Sequence, residues 1–231
     1  LSPPPFRNDT GIRLLDINRD GYQDVVRGSR GADKTETGYA RIWLPEKREW
    51  LTTELRGSDR FSELAHFASL TNNGPPSILI RSRAGTHWQH FDGQRWKTDR
   101  TLFPFHGGET SDPLPNRRGL RLRDLDGDGV SELLIADGVT NAVYHLSKDA
   151  RQWNKLGFTL PRDTALTTRD GTNLGLRLVD LDDDGQLDVV FSNHQQYGAW
   201  LFKDMETGWS VELLSGTRGT GKPEEELPPI V

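Results

Sequence analysis

One six-residue pattern (glycine, aliphatic, arginine, leucine, any residue, aspartate) is written three times in this chain, at Gly11 to Asp16, Gly119 to Asp124 and Gly175 to Asp180. Each copy runs directly into an acidic loop that contains glycine. Asp124 and Asp180 stand 56 residues apart and Asp16 and Asp124 stand 108 apart, so a fourth unit is expected between the first two. It lies at Ala65 to Ile80, where the loop length and Gly74 persist but the carboxylates are lost. With Ser69 as its first loop position, the units begin at 16, 69, 124 and 180, spaced by 53, 55 and 56 residues. Trp50, Trp96, Trp153 and Trp209 follow those starts by 34, 27, 29 and 29 residues. A period of this size is the mark of a solenoid or a propeller.

Within each unit four short strands are expected. The first is the Arg-Leu run before the loop. The second is the apolar run after it: Val25 and Val26, Ile78 to Ile80, Leu133 to Ile135, or Val189 to Phe191. The third is aromatic, at Arg41 to Leu44, His87 to Phe91, Val143 to Leu146 or Ala199 to Phe202, and the fourth starts at the Trp marker. No segment between turn signals is long enough for a helical stripe at 3.6 spacing, and 24 Gly with 13 Pro suit many turns. The fold class is therefore all-β, a β-propeller with four blades of four antiparallel strands. Blades are expected at about 9–57, 58–112, 113–165 and 166–215, with the periodic tryptophans as wedges between them. Residues 216–231 read as an exposed linker into a next unit, because Leu227 to Ile230 resembles the Ser2 to Phe6 head that precedes the first unit.

Composition removes several classes of function. The chain of 231 residues has a formal net charge of -5, which argues against a general electrostatic grip on nucleic acid. It contains no Cys, hence no disulfide, thiolate metal site or cysteine nucleophile. Its apolar runs fall far short of the roughly 20 residues of a membrane helix. An opening on Leu1 rather than Met leads us to expect that whatever preceded it, a secretion signal included, has been removed.

The acidic loops carry the chemistry. Loop one reads DINRDGYQD from Asp16, loop three DLDGDGVSE from Asp124 and loop four DLDDDGQLD from Asp180. Oxygen ligands at positions 1, 3, 5 and 9, a main-chain carbonyl at 7 and glycine at 6 form the donor pattern of a calcium ion with six to eight ligands. The expected ligands are Asp16, Asn18, Asp20, Tyr22 and Asp24; Asp124, Asp126, Asp128, Val130 and Glu132; and Asp180, Asp182, Asp184, Gln186 and Asp188. Hard carboxylate oxygens favour calcium over zinc or copper. The alternative is an acidic solvated turn, although crowded carboxylates would repel one another there. An EF-hand lacks support, because its Glu at position 12 is replaced by Arg27, Ile135 and Phe191. Loop two offers Ser69, Thr71, Asn73 and Ser77, none of them charged, and is expected to be metal-free. Three Ca²⁺ sites are therefore expected.

These loops, their glycines and the apolar strands that follow resemble FG-GAP/VCBS repeats, the calcium-containing blades of integrin-alpha-like propellers, over nearly the whole chain. The resemblance implies a ring of about seven blades, of which four are present, with a self-closed ring of four blades as the alternative, and calcium in the hairpin between the first two strands of a blade. It also implies a secreted, periplasmic or cell-surface setting and a role in adhesion, scaffolding, or binding protein or polysaccharide. The remaining blades or domains would belong to a larger parent chain.

Other candidate site residues are fewer. Arg13, Arg121 and Arg177 occupy one repeat position, with His66 in the fourth copy, and could line a central channel and hold an anionic sugar through bidentate contacts. Equally, each could brace its own loop. Trp43, Trp88 and Trp200 are candidate platforms for sugar stacking, with core packing as the alternative. His87 and His90 lie three apart on a strand, so they face opposite ways and do not chelate. No GxSxG elbow or glycine-rich phosphate cradle is present, and no catalytic residue is assigned. Asn8 to Thr10 forms a glycosylation sequon. A binding or scaffold module is the leading expectation. The alternative is part of a propeller enzyme, a polysaccharide lyase or a sugar-processing or dehydrogenase-like protein, with its catalytic residues mostly outside this segment.

Overall fold

Short β-prone runs punctuated by turn residues become sixteen strands among the described residues, and no α-helix is found there. A computed structural model describes residues 12–27, 38–55, 66–72, 74, 76–82, 85–92, 96–99, 119–147, 152–221 and 226–230. The expectations placed on the side chains of Arg13, His87 and Trp96, on Asn73 and on the Asn8 to Thr10 sequon lie outside what is described.

Four separate four-stranded antiparallel sheets result, each in simple sequential order. The first holds β1 (Ile12–Leu15), β2 (Asp24–Arg27), β3 (Gly38–Leu44) and β4 (Glu49–Leu55). The second holds β5 (His66–Ser69), β6 (Pro76–Ser82), β7 (Gly85–Phe91) and β8 (Trp96–Asp99). The third holds β9 (Leu120–Arg123), β10 (Glu132–Ala136), β11 (Asn141–Leu146) and β12 (Trp153–Lys155). The fourth holds β13 (Leu176–Val179), β14 (Asp188–Ser192), β15 (Gln196–Leu201) and β16 (Val211–Thr217). All-β blades of this kind are the expected fold class. Every acidic loop joins the first and second strands of its sheet.

The chain forms two compact units, one of Leu1–Ala68 with Gly74–Phe103 and the other of Ser69–Asn73 with Pro104–Val231. In the first, Ile17, Val26, Ala40, Ile42, Ile78 and Phe91 form the core. In the second, the two blades share one core, in which Leu125, Leu134, Ala136 and Val143 of blade three meet Leu176, Val189, Phe191 and Trp200 of blade four. Every residue of β10 is buried, as suits a middle strand covered on both faces. Most of β16, an edge strand, is exposed.

Strand ends depart from expectation at the chain's last blade. β16 extends through Gly216 and Thr217, which the sequence assigns to the linker. Beyond it the segment is fastened rather than free. Arg218 donates to Ser192 Oγ and to the Leu227 carbonyl, and it pairs with Glu226 at 3.1 Å. Ile230 N donates to the Ser192 carbonyl at 2.9 Å. Gly175, at φ +72°, leaves space for this path, since a Cβ there would strike the carbonyl oxygens of Ser192 and Ile230. Trp209 lies two residues before β16 rather than opening it, and its Nε1 donates to the Leu187 carbonyl at 2.8 Å.

Candidate metal centres

Each acidic loop must reverse the chain within nine residues, and its side-chain oxygens hold the turn by accepting nearby backbone N–H groups. In loop three Asp124 accepts from Gly127 N and Gly129 N, each at 2.9 Å, and Asp128 accepts from Val130 N at 2.7 Å. In loop four Asp180 accepts from Asp184 N at 3.1 Å and Gly185 N at 2.9 Å. In loop one Asp16 accepts from Asp20 N at 3.1 Å and Gly21 N at 2.8 Å. Position 6 is left-handed in all three, with Gly21, Gly129 and Gly185 at φ 88°, 87° and 87°. Position 4 is left-handed as well: Arg19 and Asp183 sit at 60° and 61°, where only loop three supplies glycine, Gly127 at 76°. A left-handed non-glycine residue costs about 1–2 kcal/mol, so loops one and four carry strain that loop three avoids.

The position-9 carboxylate is the buried anchor. Asp24, Glu132 and Asp188 are 0%, 3% and 1% exposed. Each accepts a backbone N–H from position 2, that of Ile17, Leu125 or Leu181, at 2.9, 2.9 and 2.8 Å. Asp24 accepts also from Trp43 N at 2.8 Å, on the third strand of its blade, and Asp188 from Phe202 N at 2.7 Å, the residue just after the third strand of its blade.

Two of the loops gather carboxylates tightly enough for a metal ion. Oxygens of Asp124, Asp126 and Glu132 lie within 4.8 Å of one another, as do those of Asp180, Asp182 and Asp188. Loop one offers Asp16, Asn18 and Asp24 at the same positions, one charge fewer, and Asn18 Nδ2 donates to Asp20 at 2.9 Å. The electrostatics answer to this crowding. Burial, opposed by the Leu125 N–H and reinforced by Asp126, Asp128 and Asp124, pushes Glu132 up to about 8. Burial and then the charges of Asp128 and Asp124 raise Asp126. Burial raises Asp24, against the hydrogen bonds from Trp43 and Ile17. Desolvation and then Asp184 and Asp188 raise Asp182. Each cluster is a set of hard oxygen donors whose mutual repulsion a divalent cation would relieve, so the residues present fit such an ion.

Loop two shows what replaces the anchor when the carboxylate is gone. Ser77, 1% exposed, takes position 9, and its Oγ lies 2.7 Å from His90 Nδ1. His90 Nε2 in turn lies 3.6 Å from Asp99. This row of Ser, His and Asp crosses β6, β7 and β8, and no short motif in the sequence announces it. Buried Ser77 has no access to a substrate, so the row serves as packing and hydrogen bonding rather than as a nucleophilic site. The loop also leans on its neighbour: Ser69 N donates to Ser131 Oγ at 3.0 Å, and Ser131 N donates to the Ser69 carbonyl at 2.7 Å.

The remaining candidates separate by burial. Trp88 and Trp200 are 1% and 5% exposed, which corrects their assignment as sugar platforms. Trp200 stacks on Phe191 with centroids 5.5 Å apart, and the core covers its faces. Trp43 remains half-buried and meets Trp50 across β3 and β4 at 5.2 Å. Trp153 and Trp209 are buried, and Trp209 sits in the core shared by blades three and four, whereas Trp50, at 44% exposed, departs from the wedge expectation. Its ring tilts against Trp43 instead of entering a core. Arg121 and Arg177 each donate from Nη1 to the carbonyl of the preceding leucine, Leu120 at 2.7 Å and Leu176 at 2.8 Å. Burial and then the charges of Arg123 and Arg177 lower the pKa of Arg121.

No helix among the described residues is long and apolar enough to cross a membrane. No curated protein matches the chain. Among solved structures it is similar to a lectin from Agrocybe aegerita, described as specifically recognising non-reducing terminal N-acetylglucosamine, at 15% identity and a TM-score of 0.54. That likeness covers 88% of this chain and 50% of the lectin, so the chain spans about half its neighbour's length. Residues 124–191, from the first carboxylate of loop three to the buried Phe191 of β14, match the family described as FG-GAP-like repeat, so the chain carries an FG-GAP-like repeat within an all-β propeller fold.

Proposed function

We propose that this chain is a calcium-stabilised, non-enzymatic propeller module that binds glycan or protein outside the cytoplasm. The observation that carries the reading is the pair of carboxylate clusters, at Asp124, Asp126 and Glu132 and at Asp180, Asp182 and Asp188, placed at the same point of successive blades. Calcium at millimolar extracellular levels fills even weak sites of this type. Loop one, with Asn18 in place of a carboxylate, is the third and weakest site. Loop two holds none.

A glycan ligand is favoured by the lectin neighbour, described as recognising terminal N-acetylglucosamine. Trp43 is the aromatic residue we assign to stack on such a sugar. A larger ring is supported by positions that repeat but differ in cover. Leu120 and Leu122 are 3% and 2% exposed, whereas their equivalents in blade one, Ile12 and Leu14, are 46% and 66% exposed, as though a preceding blade belongs there. The tail argues likewise: Ile230 N donates to Ser192 as Leu166 N does to Ala136, so the chain leaves blade four along the path that leads from blade three into blade four.

Calorimetry in millimolar calcium and in EDTA, together with a glycan array carrying N-acetylglucosamine-terminated oligosaccharides, tests the reading. We expect a higher melting temperature with calcium, three ions per chain, and glycan binding that Trp43→Ala abolishes. Unchanged melting in EDTA overturns the calcium role, and no binding by the calcium-loaded protein overturns the glycan role.

A further inference from the structure

Loops three and four are joined through the main chain at the points where their ligands are set. Leu125 lies between Asp124 and Asp126, and its carbonyl accepts a 2.8 Å hydrogen bond from Leu187 N, next to Asp188. Leu125 N donates to Glu132 at 2.9 Å, so one residue touches three of the ligand positions of its own loop and one end of the next. Leu125 is fully buried in the core shared by the two blades. The loops also stack without slack: a Cβ on Gly127 would stand 3.1 Å from the Gly185 carbonyl oxygen. On the far side, the Leu187 carbonyl accepts the Trp209 indole N–H at 2.8 Å. Trp209 is held edge-on by Phe158 and Phe202.

We propose that cation binding in loops three and four is positively coupled through the Leu125 carbonyl and the Leu187 amide, the filling of either loop ordering the other. This rests on the reading of the loops as cation sites. Drawing Asp124, Asp126 and Glu132 around an ion fixes Leu125, and Leu125 in turn fixes Leu187 and the buried Asp188. The second ion then meets a loop whose ordering cost has already been met, which is cooperativity without a large change of shape. Such coupling is reciprocal, with each site changing the other's affinity by the same factor, commonly 5-fold to 150-fold. The Ser69–Ser131 pair makes a comparable link one blade earlier, from loop three to the uncharged loop two, so loop three is the hub of the series.

Calcium titration of the whole chain by calorimetry tests this, using wild type, Asp126→Asn and Asp182→Asn. We expect Asp126→Asn to weaken loop four about fivefold or more, and Asp182→Asn to weaken loop three by the same factor. In Asp182→Asn, calcium should also slow hydrogen exchange at the Leu187 amide and shift the Trp209 indole N–H resonance, although loop four is then disabled. Loop-four affinity within about twofold of wild type in Asp126→Asn, or a Leu187 amide indifferent to calcium in Asp182→Asn, overturns the coupling while leaving the sites themselves intact. If Asp126→Asn fails to fold, the exchange measurement on Asp182→Asn decides alone. Wild type that takes up no calcium overturns the cation reading, an outcome distinct from two independent sites.

Discussion

Replacing Glu132 by Gln should change stability with opposite sign in the presence and absence of calcium. In the metal-free protein Glu132 is held up to about 8, against an ordinary value of 4.5, chiefly by burial. A carboxyl with a raised folded-state pKa contributes stability that is fully present below its unfolded value and is lost as pH climbs through the folded one. In EDTA, wild type should therefore melt progressively lower from about pH 5 to pH 9. The gap of about 3.5 units corresponds to about 5 kcal/mol as an upper bound, at about 1.4 kcal/mol per unit. For a chain of 231 residues each kcal/mol moves Tm by roughly 2–4 °C, so the full effect is roughly 10–20 °C. Gln does not ionise, and its amide oxygen can still accept from Leu125 N, so the variant should lose much less over the same range. Asp24, raised in a different loop, bends both curves alike, and the difference between the two proteins reports Glu132 together with its coupling to Asp126. Above pH 8 in EDTA the variant should melt higher than wild type. In millimolar calcium the order should reverse, because a ligand charge is gone. Differential scanning calorimetry at five pH values, with EDTA and with calcium, measures both. Parallel wild-type and variant curves in EDTA would refute the reasoning.

Three calcium ions would carry the formal charge from -5 to +1, so electrophoretic mobility should change sign of direction on saturation and return on chelation. Asn18→Asp should tighten the weakest site, seen as a lower calcium concentration for the third binding step. Arg121→Gln should lower stability by about 1–2 kcal/mol, seen as a lower melting temperature, with sulfated-oligosaccharide binding intact, since its Nη1 braces the Leu120 carbonyl. Lost binding with unchanged melting would instead place that guanidinium in a ligand site. Arg218→Ala strands the partly buried Glu226 and should cost about 3 kcal/mol. Limited proteolysis should then cut at residues 219–230 first, whereas an equally resistant tail would refute the role assigned to Arg218.

The repeat period, the four-stranded unit and the nine-residue loop all follow from local chemistry: alternating apolar residues make strands, and Asp-Gly spacing makes a left-handed turn wherever it stands. For that reason the gathering of Asp124, Asp126 and Glu132 into one carboxylate cluster is legible in the sequence alone, and so is the lack of charge in loop two. Other features depend on which surfaces meet across long sequence separations. Trp200 and Trp43 both lie on third strands, yet one is stacked on Phe191 in a core shared by two blades and the other, whose place in the register is that of Phe202, is only half-buried. Trp50 carries the same repeat mark as Trp209 and differs from it for the same reason, because burial is conferred by neighbours rather than by the residue. The Ser77, His90 and Asp99 row exists only through the register of three strands, and the fastening of the tail through Arg218 reaching back to Ser192 and Asn193 and through Ile230 N on the Ser192 carbonyl. Glu132 reads as one more acid in the sequence, and the walls of the folded blades are what make it weak.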